Sequence, residues 1–223
     1  MDYNPVRLHL GCGHVRMDGW VNCDYHSTPA ADCVFDLTKP WPFASDTVEH
    51  IYASHVLEHL PDPWTFFAEA WRVLRPVGSA MVIRVPYGGN TSAWADLTHL
   101  RPWYPQSFAC FQPGYGASIG NPQSENIQSL FGFLPIQVRV AGVVSKIMRI
   151  PGIRRTVLRL LPFIPELSEE IYAQAFPLKT QLATELYRQT HSARSIDLTY
   201  IVYEHEKKRQ PMRTDGTVRL VEL

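Results

Sequence analysis

The chain has no excess of either charge: Lys plus Arg and Asp plus Glu each number 21 in 223 residues. That balance speaks against a dedicated nucleic-acid binder, whose affinity rests on neutralising phosphates. It also has no uninterrupted apolar stretch near the roughly 18 residues that a membrane span requires. Met1 to Pro5 show neither a basic start nor an apolar run, so no export signal is expected. Cysteine is scarce: Cys12, Cys23, Cys33 and Cys110 form no C-x-x-C pair. This pattern excludes a disulfide scaffold and fits reduced thiols in the cytoplasm. Internal repeats and low-complexity tracts are absent too. With 45% hydrophobic and 19% charged residues, the chain can bury an ordinary core. A cytoplasmic protein with one main core is expected.

Charge is unevenly spread. Residues 1–70 hold ten acids against three bases, whereas residues 142–165 hold five bases and no acid. Val6 to Leu10 reads as a short strand running into the Gly11-Cys12-Gly13 turn. Trp20 to Cys23 and Cys33 to Phe35 are two further strands, closed by Asp24 and Asp36. A fourth runs from Val48 to Ala53. Asp62-Pro63 then starts a helix, with Asp as N-cap and Pro at the first helical position. Its expected buried stripe is Trp64, Phe67, Trp71 and Leu74. Pro76 stops it, and a fifth strand, Ala80 to Val85, is closed by Pro86. Ile136 to Val140 and Leu198 to Tyr203 read as two final strands. The expected architecture is α/β: a mostly parallel seven-stranded sheet with helices on both faces. The expected boundaries are a core over 1–142, a helical insertion over 143–192, the last strand within 193–209 and a tail from 210. Tyr172, Phe176 and Tyr187, at helical spacing, are expected in the core.

In an open parallel sheet, ligands sit beyond the carboxyl ends of the strands. Gly11 and Gly13 fall there, where a missing Cβ admits a ligand close to the backbone. Asp24 ends the second strand, where a carboxylate can take both hydroxyls of a ribose. Asp36 ends the third and could accept from the amine of an adenine, with the Leu37 backbone alongside. A dinucleotide would want a third glycine where Arg16 stands, and no Walker lysine occurs. The pattern therefore fits an adenosine ligand without a polyphosphate, and an acidic pocket suits a sulfonium cation.

These residues resemble the class I, Rossmann-like S-adenosylmethionine-dependent methyltransferases, in particular the short type-11-like members. The similarity runs through Leu8-His9-Leu10-Gly11-Cys12-Gly13, Gly19-Trp20-Val21-Asn22-Cys23-Asp24 and Asp36-Leu37 with Trp41-Pro42-Phe43. It continues through Ser54-His55-Val56-Leu57-Glu58-His59-Leu60, Arg72-Val73-Leu74-Arg75-Pro76-Val77-Gly78 and Val85-Pro86. The resemblance implies S-adenosyl-L-methionine contacted by Gly11, Cys12 and Gly13, with Asp24 on the ribose and Asp36 and Leu37 at the adenine. It places Ser54 or His55 near the methionine end. Two departures stand out. Only Cys12 to Gly19 separates the first two strands, too short for the usual crossover helix. Val77 also holds the middle of the family's Pro-Gly-Gly turn, which disfavours positive φ there.

His55-Val56-Leu57-Glu58-His59 matches H-x-x-E-H, a zinc-protease pattern. A strand before it and Pro61 after it leave barely one helical turn, so no metal is expected. Leu57 then packs under the sheet, while Glu58 or His59 caps or lines the site, and His55 or His59 could act beside the methyl donor. The segment Asp96-Leu97-Thr98-His99-Leu100-Arg101 follows the fifth strand and is expected on the acceptor side. His99 is the expected base, with Asp96 orienting it and His55 as a second catalytic candidate. Tyr87, Arg101 and His59 are assigned to the acceptor, Arg101 through an anionic group. A small-molecule or glycan acceptor, methylated at a hydroxyl, is the expected substrate. The competing reading is an inactive scaffold that binds the cofactor, or an Asp–His–Arg network that only orders a loop. The basic, apolar stretch 143–164 is read as a lid or homodimer surface, with peripheral membrane contact as the alternative.

Overall fold

The computed structural model describes residues 6–113, 130–134, 136–140, 144, 146–147, 149–160, 168–190 and 198–201. Nine strands form one sheet: β1 Val6–Leu10, β2 Val21–Asp24, β3 Cys33–Val34, β4 Val48–Ser54, β5 Ala80–Pro86, β6 Phe131–Phe133, β7 Ile136–Val140, β8 Ser168–Pro177 and β9 Leu198–Ile201. The order is β3-β2-β1-β4-β5-β8-β7-β9, with β6 paired to β8. Strands β1 to β5 are mutually parallel, and β7 is parallel to β9. Among the described strands, β8 alone runs against its neighbours β5, β6 and β7. The α/β, mostly parallel architecture expected from the sequence is therefore present.

Central position explains the apolar character of the middle strands. Leu8, His9 and Leu10 are all buried, as on a strand covered on both faces. Helix α1, Pro63–Val73, covers one face. Asp62 caps it, Oδ1 accepting from Trp64 N at 2.9 Å and Oδ2 from Thr65 Oγ1 at 2.6 Å. The buried stripe is Phe66, Phe67, Ala70 and Val73, continued by Leu74. It is rotated from the expected one, because Trp64 and Trp71 lie at its margin and only partly bury. Phe67 stacks on Phe111 with ring centroids 3.7 Å apart, which joins α1 to the 3-10 turn Pro105–Phe111.

Both local departures take the form the sequence dictates. The crossover from β1 to β2 contains turns and no helix. Asn22 holds it: Oδ1 accepts from Met17 N at 2.8 Å, and Nδ2 donates to Trp20 O and Asp32 Oδ2. Arg16, where a dinucleotide fold would want glycine, donates to Asp32 across 2.7 Å. After α1, positive φ falls on Gly78 (71°) and leaves the exposed Val77 out of that region.

The expected helical insertion needs correction. Within 143–192 lies the ten-residue strand β8, which occupies the sheet between β5 and β7. Its burial alternates, with Ile171, Ala173 and Ala175 inward and Tyr172 and Phe176 half-buried on the other face. A spacing of four satisfies a strand as well as a helix, which is why Tyr172 and Phe176 read as helical. Tyr187, on helix α4 (Gln181–Thr190), is buried as expected. Helix α2 is Ser92–Ala95 and helix α3 is Arg154–Leu160, a seven-residue piece following the Pro151-Gly152 turn. The rest of the basic stretch lies partly outside the described residues, as do the tail and Val202 and Tyr203 of the last expected strand. No helix among the described residues is long and apolar enough to cross a membrane.

Candidate active site

The parallel strands end side by side on one edge, with Leu10 level with Cys23 and with Ala53, and Ser54 level with Arg84. Gly11 and Gly13 both adopt positive φ, 66° and 54°. Their uses differ. A Cβ on Gly11 would stand 2.3 Å from Val56 Cγ2, so this glycine lets β1 pass the turn after β4. A Cβ on Gly13 would meet nothing within 4 Å, so the backbone there borders open space. Gly13 N donates to Asp24 Oδ2 at 2.7 Å and His26 N donates to Oδ1 at 2.9 Å. Each oxygen of this half-buried carboxylate keeps a second lone pair for a ligand hydroxyl. Cys12 is buried, and its N donates to Cys23 O across 3.0 Å, fastening the turn to β2. Burial pushes its thiol pKa up.

Asp36 stands one residue beyond Phe35, whose N donates to Asp24 O at 3.0 Å. Its Oδ1 accepts from Thr38 Oγ1 at 2.7 Å and from Thr38 N at 2.8 Å. These two donors hold the carboxyl below its ordinary range. Leu37 is half-buried, and its carbonyl accepts from Trp41 Nε1. The glycine turn, Asp24 and Asp36 thus line one edge in the expected order.

Ser54 ends β4, half-buried, and His55 follows with φ of 57°. A non-glycine residue in the left-handed region costs of order 1–3 kcal/mol and persists where its surroundings fix it. Here His55 N donates to Arg84 O at 2.9 Å, Nε2 lies 3.1 Å from Glu170 Oε1 and Nδ1 lies 3.2 Å from Glu58 Oε1. The Glu170 and then the Glu58 carboxylate raise the imidazole pKa to about 9, against the opposing effect of burial. A ring protonated on both nitrogens has no lone pair to take a proton. The expected proton-accepting role of His55 does not fit this arrangement, which makes it a fixed cation. Glu170 also accepts from Arg84 and, at 3.2 Å, from Arg139. Burial alone would raise its pKa; His55, Arg84 and Arg139 overcome that and hold it well below the carboxylate range.

The loop after β5 is closed by backbone contacts. Tyr87 bridges to Trp103, and Gly88 N donates to Trp103 O at 2.7 Å. A Cβ on Gly88 would stand 2.9 Å from that carbonyl. Tyr87 packs edge-on against Tyr104, half-buried. His59 and His99 come together edge to face, with centroids 4.8 Å apart. His99 is oriented by Ala93 O, 2.9 Å from Nδ1, in place of the expected Asp96, whose Oδ2 lies 3.8 Å from Nε2. Asp96 Oδ1 instead accepts from Thr98 N and Oγ1, and these donors lower its pKa. Arg101 Nη2 donates to Pro61 O at 2.7 Å, which fixes the loop to the turn after β4.

Two residues of the site carry no mark in the sequence reading: Glu170 and Arg84. Glu170 lies 115 positions from His55, on a strand whose spacing predicts helix. Its Glu-Glu doublet ahead of an alternating run was the available signal.

The model of the family described as "Methyltransferase domain" matches residues 8–82. An uncharacterized methyltransferase of Mycobacterium avium is 42% identical over 62 residues, which is 26% of this chain and 23% of the relative. Another, from Mycobacterium sp. strain JLS, is 40% identical over 84 residues, 34% of this chain and 32% of the relative. The chain thus spans about a quarter to a third of the length of these relatives. Among solved structures, a putative methyltransferase from Bacillus halodurans superposes with a TM-score of 0.45 at 13% identity, covering 81% of this chain and 95% of that one. The Haemonchus contortus phosphoethanolamine N-methyltransferase 2, in complex with phosphomonomethylethanolamine and S-adenosylhomocysteine, gives 0.44 at 12% identity, covering 81% and 50%. The matched residues 8–82 run from β1 into β5, and over this segment the chain is similar to the methyltransferase domain family.

Proposed function

We propose that this protein transfers the methyl group of S-adenosylmethionine to a hydroxyl of a small-molecule or glycan acceptor. The observation that carries the reading is Asp24. Its carboxylate is held by Gly13 N and His26 N while the space beside Gly13 is open, a cradle that fits a ribose diol. Asp36 and Leu37 would hold the adenine. Ser54 and the His55 cation would face the methionine end, where a carboxylate is the matching charge. Bound there, the donor supplies an electrophilic methyl on sulfonium sulfur, displaced in line by the acceptor oxygen.

The chain's own work is positioning and exclusion of water, since reacting atoms must approach to about 3–3.5 Å in line. The loop from Tyr87 to Trp103, tied to Pro61 by Arg101, forms the wall on which an acceptor would rest. Ala93 O fixes the proton of His99 on Nδ1, so Nε2 holds the lone pair that can take the acceptor's proton.

The test is calorimetry with S-adenosylhomocysteine, followed by methyl transfer from labelled donor to a panel of hydroxylated acceptors. Binding and turnover support the reading. Binding with no transfer to any acceptor favours the inactive scaffold, and absence of binding overturns the donor site.

A further inference from the structure

We propose that Glu58, His59 and His99 form a binding site for one first-row divalent cation, Zn²⁺ being the best match, between the turn after β4 and the acceptor loop. One ligating atom of each residue lies within 4.8 Å of the others. A tetrahedral site with bonds near 2.0–2.2 Å sets its ligands roughly 3.3 Å apart. Side-chain rotations of about an ångström therefore close the group around an ion.

Three observations point to a cation. Glu58 is the first: its side chain is 1% exposed, and no hydrogen bond from the described residues reaches either carboxylate oxygen. His55 Nδ1 stands 3.2 Å from Oε1 at ion-pair distance, and Oε2 has no neighbour of that kind among the described residues. The His55 cation answers Oε1 alone, and a buried carboxylate whose other oxygen has no donor is costly, a cost that a bound cation relieves. The second is the state of the two rings. Thr98 Oγ1 donates to Asp96 Oδ1 at 2.7 Å, so toward His59 Nδ1, 3.0 Å away, it can only accept; Thr98 O, at 3.3 Å, also only accepts. Ala93 O is likewise only an acceptor for His99 Nδ1. Both imidazoles thus carry hydrogen on Nδ1, which leaves Nε2 as the nitrogen for a metal, the arrangement in which a metal-bound histidine is held by its outer partner. The third is rigidity. Leu100 N donates to Glu58 O at 2.8 Å, and Arg101 ties to Pro61, so the segments carrying the ligands are stitched together.

Two imidazoles and a carboxylate suit zinc and its first-row neighbours better than calcium or magnesium. His55, first residue of the H-x-x-E-H pattern, stays outside, because both its nitrogens face carboxylates. His99 from the acceptor loop takes its place. Three protein ligands leave a fourth position open, as in catalytic sites. Resting on the methyltransferase reading, that position would hold the acceptor oxygen and lower its pKa so that its proton passes to solvent, with the lone pair of His99 bound to metal and no longer needed as the base. The binding of the ion itself does not depend on that reading.

Zn²⁺ is titrated calorimetrically into chelator-treated protein, alongside Glu58→Gln, His59→Ala, His99→Ala and the control His14→Ala. One equivalent is expected, weakened at least about tenfold by each ligand substitution and unchanged in the control. Circular dichroism and thermal melting of the same variants report that they fold; if Glu58→Gln does not, the two histidine variants decide. Absence of Zn²⁺ binding by the unaltered protein, or affinity unchanged in both histidine variants, overturns the site. Ligand-dependent Zn²⁺ binding without S-adenosylhomocysteine binding keeps the metal site and removes the donor reading.

Discussion

Gly13 N and Asp24 Oδ2 stand 2.7 Å apart, so the turn after β1 and the end of β2 are locked by a charge-assisted hydrogen bond. On the proposed reading, substituting Asp24 removes the ribose acceptor and this lock together. Asp24→Ala is expected to weaken S-adenosylhomocysteine by about tenfold to a hundredfold, the equivalent of about 1.5–3 kcal/mol for hydrogen bonds to a charged group. Calorimetry on the folded variant checks it; unchanged affinity would remove Asp24 from the donor site.

The two glycines of the turn separate stability from binding. Gly11→Ala drives a methyl against Val56 Cγ2 at positive φ and should cost about 1–3 kcal/mol in urea unfolding. Gly13→Ala meets no atom, so its cost should stay near the roughly 1 kcal/mol of left-handed backbone. At the proposed donor site its added methyl would enter the ligand's space, and donor affinity should fall at least as far as stability does. Equal affinity in Gly13→Ala and the unaltered chain would place the ligand elsewhere.

Glu170 is the shared counter-ion of His55, Arg84 and Arg139. Glu170→Gln leaves three cations without it and should cost about 1–3 kcal/mol, less than a fully buried pair because the site is partly solvated. Since folding depresses the Glu170 pKa, its stabilisation is complete above the ordinary glutamate value of 4.5 and fades as pH falls toward the lower folded value. Unfolding free energy measured from pH 7 to pH 3 should therefore decline less in Glu170→Gln. Parallel curves would dissociate Glu170 from acid stability.

Most of the fold through β5 was legible, since each signal there is local. The turn glycines, the strand-end aspartates and the Asp62-Pro63 helix start each lie within a few residues of the structure they specify. The loop after β5 and strand β8 depend on tertiary pairings that no short window contains. Asp96 and His99 at i, i+3 looked like a carboxylate orienting an imidazole, yet the Asx-type bonds to Thr98 won the carboxylate and a carbonyl won the ring. The inward face of β8 is built largely from alanine, so its period was faint, and with it went Glu170.

Because β8 enters the sheet last but one in sequence and next to β5 in space, the site cannot be finished by its own N-terminal half. During synthesis, a segment ending near residue 82 would present His55 without Glu170, as would any excised fragment of that length. Only when residues 168–177 have emerged and threaded beside β5 does the cation cluster gain its anion. Completion of this charge cluster is thereby a late, long-range event, and a nascent chain stalled before that point would carry the whole matched segment without the anion that fixes His55.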